Sequence, residues 1–329
     1  MNDSTAKKQS NLQPNLQFLD FHPPRVNMHA DVLSGLSKTK KMIMPKYFYD
    51  ARGSRLFDNI TRLPEYYLTR TEDSIMTASL DEIAQLLGPG AAVIEFGSGS
   101  GEKIRRLLSQ LHQPVACVPV EISRGHLMGL AQSLAKDHPQ LEIIAVCADF
   151  TLPLSLPPIS GARRKLVFFP GSTIGNFRPD DAINILKVMR QVAGEDGALL
   201  IGADLVKDAS KLEAAYNDSQ GITAAFNLNL LQRINSELQA NFDLEMFRHQ
   251  AVWNGQAGRI EMYLVSLKKQ DVHIQGQRIA FARGERILTE YSHKYELESF
   301  AAMAGKAGLE VAQVWTDTLG QFSVQFLTS

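Results

Sequence analysis

The run Ala91–Phe96, followed by Gly97-Ser98-Gly99-Ser100-Gly101-Glu102-Lys103, constrains the fold more than any other stretch of the chain. A short apolar run bounded by glycines predicts a buried strand. Glycines at alternate positions then predict a tight turn, because glycine takes up positive φ without strain and lets a ligand approach the backbone closely. The same rhythm continues on either side. Strands are expected at 115–120, 141–146, 165–169 and 198–203, and helices at 71–87, 102–111, 124–135 and about 180–192. Strands alternating with helices argue for a parallel, doubly wound α/β sheet. Strands covered on both faces read as continuous apolar runs, and most of these do. A sheet of this kind takes its ligands just beyond the carboxyl ends of its strands.

After Asp204 the pattern changes. Residues 211–242 look mostly helical and are rich in Asn, and strand-like segments follow at 250–253, 259–268 and 272–282. The α/β character then returns, with a helix over 296–307 and strands at 311–316 and 322–327 that form a closing antiparallel pair. The expectation is one α/β domain interrupted by a second, mixed α+β module. The first forty residues are polar, with Pro23-Pro24 and Lys38, Lys40 and Lys41. The first dozen are expected to be disordered.

Bulk properties narrow the function. The chain has 329 residues, 44% of them hydrophobic and 21% charged, enough for a sizeable core. A formal charge of -1 shows none of the basic excess of a nucleic-acid binder. No apolar run approaches the ~20 residues that span a bilayer, and the polar start, Met1 to Asn15, lacks the apolar centre of a signal peptide. Cys117 and Cys147 form neither a disulfide framework nor a CxxC metal site. Cys147 falls in an apolar run and is expected to be a buried core thiol. Together these suggest a cytoplasmic enzyme with a small-molecule substrate, and without a metal, membrane or nucleic-acid partner.

The glycine turn fits two kinds of cofactor. A dinucleotide places its pyrophosphate on the helix N-terminus, whose dipole favours anions. Here Glu102 occupies that position and would repel it, and the third glycine follows GxGx rather than GxGxx. S-adenosylmethionine has no phosphate, and its carboxylate could pair with Lys103. Glu95 adds negative potential near its cationic end. Glu121, at the end of the second strand, could accept hydrogen bonds from ribose hydroxyls. Asp149 could meet the adenine amino group and Phe150 could cover the ring, although Asp149 serves equally well as a turn residue. A methyltransferase is favoured, with a dinucleotide oxidoreductase as the alternative and a plain tight connection as the bland one.

Longer motifs go further. Tyr47-Phe48-Tyr49-Asp50, Gly53-Ser54, Leu56-Phe57-Asp58 and the stretch from Ile60 to Arg70 that holds Pro64-Glu65-Tyr66-Tyr67 come first. Gly171-Ser172-Thr173-Ile174-Gly175-Asn176, the stretch from Asp204 to Asp208, the stretch from Gly221 to Asn227, Arg259-Ile260-Glu261-Met262 and Leu288-Thr289-Glu290 follow in order. Together the chain from about residue 40 to its end resembles the histidine-specific methyltransferases of ergothioneine biosynthesis, which trimethylate the α-amine of L-histidine to hercynine. The resemblance implies a Rossmann-like class I methyltransferase domain, residues 70–206 plus 296–329. It also implies a substrate domain, residues 41–69 plus 207–295, that closes over the amino acid, with residues 1–40 as an extension, and the chain is expected to act as a monomer.

It further implies roles for particular residues. Gly97, Lys103, Glu121 and Asp149 are similar to cofactor contacts, with Glu121 where relatives can have Asp. Asn176 and Tyr216 resemble the residues that hold the amino-acid end, and Tyr49 and Tyr66 the pocket tyrosines near the amine and ring. Glu290 and Ser292 resemble the imidazole readers, with Met262 lining the ring pocket. Tyr49 and Asn176 are the expected catalytic residues. The sequence departs from some relatives at Gly101, His293 and Tyr295, without removing an evident role.

The chemistry of these groups is consistent with the implication. Neutral imidazole carries one donor and one acceptor nitrogen. Glu290 can accept from the first and the Ser292 hydroxyl can serve the second, and the pair would be left unsatisfied by an apolar ring. Taken without the motif, Glu290 is a solvated carboxylate at a strand end, Asn176 a turn residue, and one of Tyr66 and Tyr67 a core aromatic. The implied reaction is a direct displacement in which the neutral amine attacks the sulfonium methyl, with no dedicated base evident in the sequence. The same family acting on another amine, such as an indole amino acid, is the runner-up.

Overall fold

The computed structural model describes residues 13–22, 27–99 and 101–329. The expected disorder of the first dozen residues, the Pro23-Pro24 pair and Ser100 of the glycine turn lie outside them. The described chain divides into two compact units. One contains residues 13–22, Thr71–Leu205 and Tyr295–Ser329, and the other residues 27–70 and Val206–Lys294.

The first unit is built on an eight-stranded sheet in the order Leu16–Asp20, Glu142–Cys147, Ala116–Glu121, Ala91–Phe96, Arg164–Phe169, Ala198–Asp204, Phe322–Thr328, Glu310–Thr316. Neighbours are parallel from Leu16–Asp20 as far as Ala198–Asp204. Phe322–Thr328 runs antiparallel to both of its neighbours. The closing antiparallel pair and the alternating helices make this a Rossmann-like α/β sheet. Every residue of Ala91–Phe96 and of Ala198–Asp204 is buried, which is why both read as largely apolar runs, with Glu95 and Asp204 as their buried charged residues. The helices Glu102–Gln110, Arg124–Asp137 and Pro179–Ala193 fall within one or two residues of the expected spans. The strand order reverses beside Ala91–Phe96, and a crevice forms at such a switch point.

Several elements were not foreseen, among them the helices Met28–Leu36 and Ala51–Ile60 and one strand at the sheet edge. Leu16–Asp20 lies in the segment read as a polar extension, yet it forms the edge strand against Glu142–Cys147, with Leu16 and Phe18 facing inward. Its alternation of apolar and polar residues is short, and the Asn15 amide fastens it by donating to the carbonyls of Ala135, His138 and Leu141.

The second unit has a four-stranded sheet in the order Lys41–Met42, Arg286–His293, Arg259–Ser266, Phe247–Asn254. A separate hairpin joins Gln270–Ile274 to Gln277–Phe281. The expected single segment over 272–282 is therefore two strands, because Gln275 and Gly276 both take positive φ and turn the chain. The helical stretch is likewise two helices, Ala209–Tyr216 and Ile222–Leu238, separated at Gly221 with φ 73°. Asp218 accepts from the backbone amides of Ile222 and Thr223 and so caps the second of them. The abundance of Asn is structural. Asn227 donates to the Tyr263 carbonyl, Asn229 to Asp50, and Asn235 bonds both ways with the backbone of Phe242. Asp50 in turn caps the helix Ala51–Ile60 through the Gly53 amide at 2.6 Å. Phe48 stacks on Phe226 at 4.4 Å, so much of the tyrosine-rich N-terminal motif serves as packing.

Candidate active site

The first set of candidate residues surrounds the carboxyl end of Ala91–Phe96. Gly97, Gly99 and Gly101 all have positive φ, at 73°, 47° and 73°. A Cβ on Gly101 would lie 2.3 Å from Leu130, whereas one on Gly99 would meet nothing within 4 Å. Gly101 is thus required by packing, and Gly99 leaves open space above the turn. A Cβ on Gly97 would touch the Phe150 ring at 3.6 Å. Phe150 stacks on Phe96 with centroids 5.3 Å apart, so the aromatic expected to cover a ring also forms the floor of the turn. His126, which sequence reasoning missed, places Nε2 2.5 Å from the Gly99 carbonyl oxygen.

The acidic candidates have defined local partners. One oxygen of Glu121 accepts from the amides of Ile122 and Ser123, which shapes the loop after its strand. One oxygen of Asp149 accepts from the amide and hydroxyl of Thr151, so the turn reading of this residue is realised. Glu95 is fully buried. Burial pushes its carboxyl well above the usual range, against the pull of Lys103 and Ser98, and one of its oxygens has no hydrogen-bond partner. The negative potential expected from Glu95 is therefore opposed by desolvation, which favours the neutral acid. Lys103 is only partly exposed, and its ammonium pairs with the carboxylate of Glu72, another residue missed from sequence. Asn176 ends the short turn Thr173–Asn176, beyond the strand Arg164–Phe169, and is half-buried.

The second set lies in the other unit, around the strand Arg286–His293. Alternate residues of a strand share a face, which places Glu290 and Ser292 together, with Lys294 next in the same phase. Ser292 and Lys294 are buried. The Lys294 ammonium donates to the Ser292 hydroxyl at 2.8 Å and to the Tyr216 hydroxyl at 3.0 Å. Tyr216 and Ser292 are themselves bonded at 2.7 Å. The Tyr216 hydroxyl, expected at the amino-acid end, thus stands beside the expected ring reader. Met262 lies directly opposite Glu290 in the antiparallel register and is 2% exposed. Desolvation raises the Glu290 carboxyl to about 7, and the Lys294 ammonium pulls the other way.

Behind this cluster His249 fixes the Tyr216 backbone. Its Nε2 lies 2.7 Å from the Tyr216 carbonyl, and the Asn227 amide bonds Nδ1 at 2.9 Å. Burial pushes the His249 imidazole below its usual range, so the neutral ring donates through Nε2–H. Tyr66 packs edge-on against Tyr216 at 6.1 Å and against Phe57 at 6.4 Å. Tyr49 is 49% exposed, with its ring edge-on to Phe57 and Phe226. Lys294 was legible in principle, since it continues the alternation Glu290, Ser292, but a lysine in that phase reads first as a solvated residue.

Residues 28–329 match the model of a protein family described as histidine-specific methyltransferase, S-adenosylmethionine-dependent. The chain belongs to this family. Histidine N-alpha-methyltransferase of Mycolicibacterium smegmatis is 41% identical over 90% of this chain and 93% of its own length. Ergothioneine biosynthesis protein 1 of Neurospora crassa is 32% identical over 82% of the chain, which covers 31% of that longer protein. A 4-dimethylallyltryptophan N-methyltransferase of Aspergillus fumigatus is 26% identical over 87% of the chain and 88% of its own length.

The residues of this histidine-specific methyltransferase fit the cofactor of its family. The open space over Gly99 admits a ligand against the backbone. The unpartnered oxygen of Glu95 is left to bond a polar group, and the Lys103 ammonium suits a carboxylate. Among the described residues no group of three or more His, Cys, Asp or Glu could hold a metal ion, and no helix is long and apolar enough to cross a membrane.

Proposed function

We propose that this methyltransferase transfers methyl groups to the α-amine of L-histidine in three rounds that give hercynine, the first step of ergothioneine biosynthesis. It acts as a cytoplasmic monomer on a free amino acid, with no nucleic-acid partner. The observation that carries the reading is the pairing of Glu290 and Ser292 on one strand face, opposite Met262 and braced by Tyr216 and Lys294. A carboxylate accepts from the imidazole N–H, and a hydroxyl serves the second nitrogen. Met262 supplies an apolar wall for the ring. The 41% identity to a protein named for histidine α-methylation supports the same substrate.

S-adenosylmethionine supplies an already activated methyl group. The protein's task is alignment, and orientation alone can supply several kcal/mol of the barrier. Gly97 and Gly99 let the turn come close to the cofactor, Lys103 meets its carboxylate, Glu121 its ribose and Asp149 its adenine. The amine must lie next to the methyl group, so Asn176, beyond a neighbouring strand of the same parallel sheet, orients it. The faces of Tyr49 and Tyr66 accommodate the growing cation.

The test is a substrate panel. The purified chain is given S-adenosylmethionine and histidine, tryptophan or 4-dimethylallyltryptophan, and release of S-adenosylhomocysteine is followed. Turnover with histidine alone is expected. Turnover with an indole amino acid and none with histidine would overturn the reading.

A further inference from the structure

Glu72 is buried in the first unit, and none of the sequence motifs singled it out. One of its carboxylate oxygens pairs with the Lys103 ammonium. The other accepts from the Gly171 backbone amide at 2.7 Å. Glu72 therefore joins the helix that follows the glycine turn to the turn that leads to Asn176. Two glycines make room for it. A Cβ on Gly202 would lie 2.1 Å from the Glu72 oxygen that holds Gly171, and a Cβ on Gly171 would lie 3.3 Å from the Lys103 nitrogen.

We propose that Glu72 is a positioning residue, which holds the Lys103 ammonium in place for the cofactor's carboxylate by spanning Lys103 and the Gly171 amide. The proposal rests on the reading that Lys103 meets that carboxylate. An isolated lysine side chain has many rotamers, and a cation already held in place loses less freedom on binding. The carboxylate is needed for a simple reason of counting. Glu72 faces two donors and offers an accepting oxygen to each, whereas an amide has one accepting oxygen and would turn its NH2 toward the other donor. Glutamine fits the space but cannot serve both groups.

The test is calorimetric binding of two ligands, S-adenosylhomocysteine and 5′-methylthioadenosine, which lacks the amino-acid end. They are titrated into the parent chain, Glu72→Gln, Lys103→Met and the double variant. Glu72→Gln is expected to weaken S-adenosylhomocysteine about tenfold, the scale of one hydrogen bond to a charged group, and to leave methylthioadenosine unchanged. In the Lys103→Met background it should add nothing, because the two residues act as one unit. Equal losses for both ligands, or the same loss with and without Lys103, would show that Glu72 only supports the fold and would overturn the proposal. So would unchanged binding in Glu72→Gln. If Lys103→Met alone bound S-adenosylhomocysteine normally, the Lys103 reading itself would fall. Gly202→Ala, which crowds Glu72 directly, gives an independent route, with the same selective loss expected.

Discussion

The hydroxyls of Tyr216 and Ser292 meet at 2.7 Å and join the end of the helix Ala209–Tyr216 to the strand Arg286–His293. The Lys294 ammonium donates to both oxygens. Lysine has no acceptor, so both hydroxyl protons are left for the bond between them and for a further acceptor. A polar cluster of this kind suits a ring with an accepting nitrogen.

Removing the carboxylate should therefore cost histidine recognition. Glu290→Ala is expected to raise KM for histidine ten- to a hundredfold, the range of about 1.5–3 kcal/mol for a hydrogen bond to a charged group. Binding of S-adenosylhomocysteine should be unchanged. Steady-state kinetics with calorimetry of the homocysteine ligand measures both, and an unaltered KM would remove Glu290 from the site.

The raised Glu290 carboxyl also predicts a stability effect of definite sign. The unfolded chain loses this proton near the ordinary value of 4.5, while the folded chain keeps it until about 7. The folded state binds more protons in that window, so this group's contribution to stability falls as pH rises from 4.5 to 7. Glu290→Gln should accordingly be the more stable protein at pH 8, by at most ~3 kcal/mol, and no more stable than the parent below pH 4.5. Thermal denaturation at the two pH values checks this, and a gain of equal size at both would contradict it.

Lys294 lowers the Glu290 carboxyl, so Lys294→Met should move that midpoint upward. The pH at which kcat/KM for histidine reaches its plateau should rise with it. A profile unchanged in position would mean that the two charges do not communicate.

The glycines of the turn should separate by role. Gly101→Ala meets both positive φ and Leu130 at 2.3 Å, and a loss of ~1–3 kcal/mol or more is expected. Gly99→Ala has positive φ but open space. Its stability loss should be smaller, while binding of S-adenosylhomocysteine weakens. Denaturation midpoints and calorimetry on the two variants distinguish them.

How much of this was legible in the sequence varied with the physics of each part. Ala91–Phe96 and its turn were clear because a strand covered on both faces is mostly apolar and the turn needs glycine. Leu16–Asp20 was not, because an edge strand needs few apolar residues and takes its register from a distant partner, Glu142–Cys147. The division of 272–282 is marked in the sequence by Gly276 alone, because the other turn residue, Gln275, takes positive φ without being glycine. Glu290 and Ser292 could be named only through the motif. Glu72 and Lys294 escaped, because a buried charge is recognised by the partners that satisfy it, and Lys103 and Tyr216 lie thirty-one and seventy-eight positions away from them along the chain. Tyr67 shows the converse, since the tyrosine read as one of two interchangeable core aromatics bonds Lys207 at 2.6 Å.

Everything proposed for the site converges on trimethylation of the histidine α-amine. Its most direct test is mass and NMR analysis of the product formed from L-histidine and excess S-adenosylmethionine. A single end product with three methyl groups, all on the α-nitrogen, and an unmodified imidazole is the predicted result. A methyl group on a ring nitrogen, or a product that stops after one transfer, would contradict it.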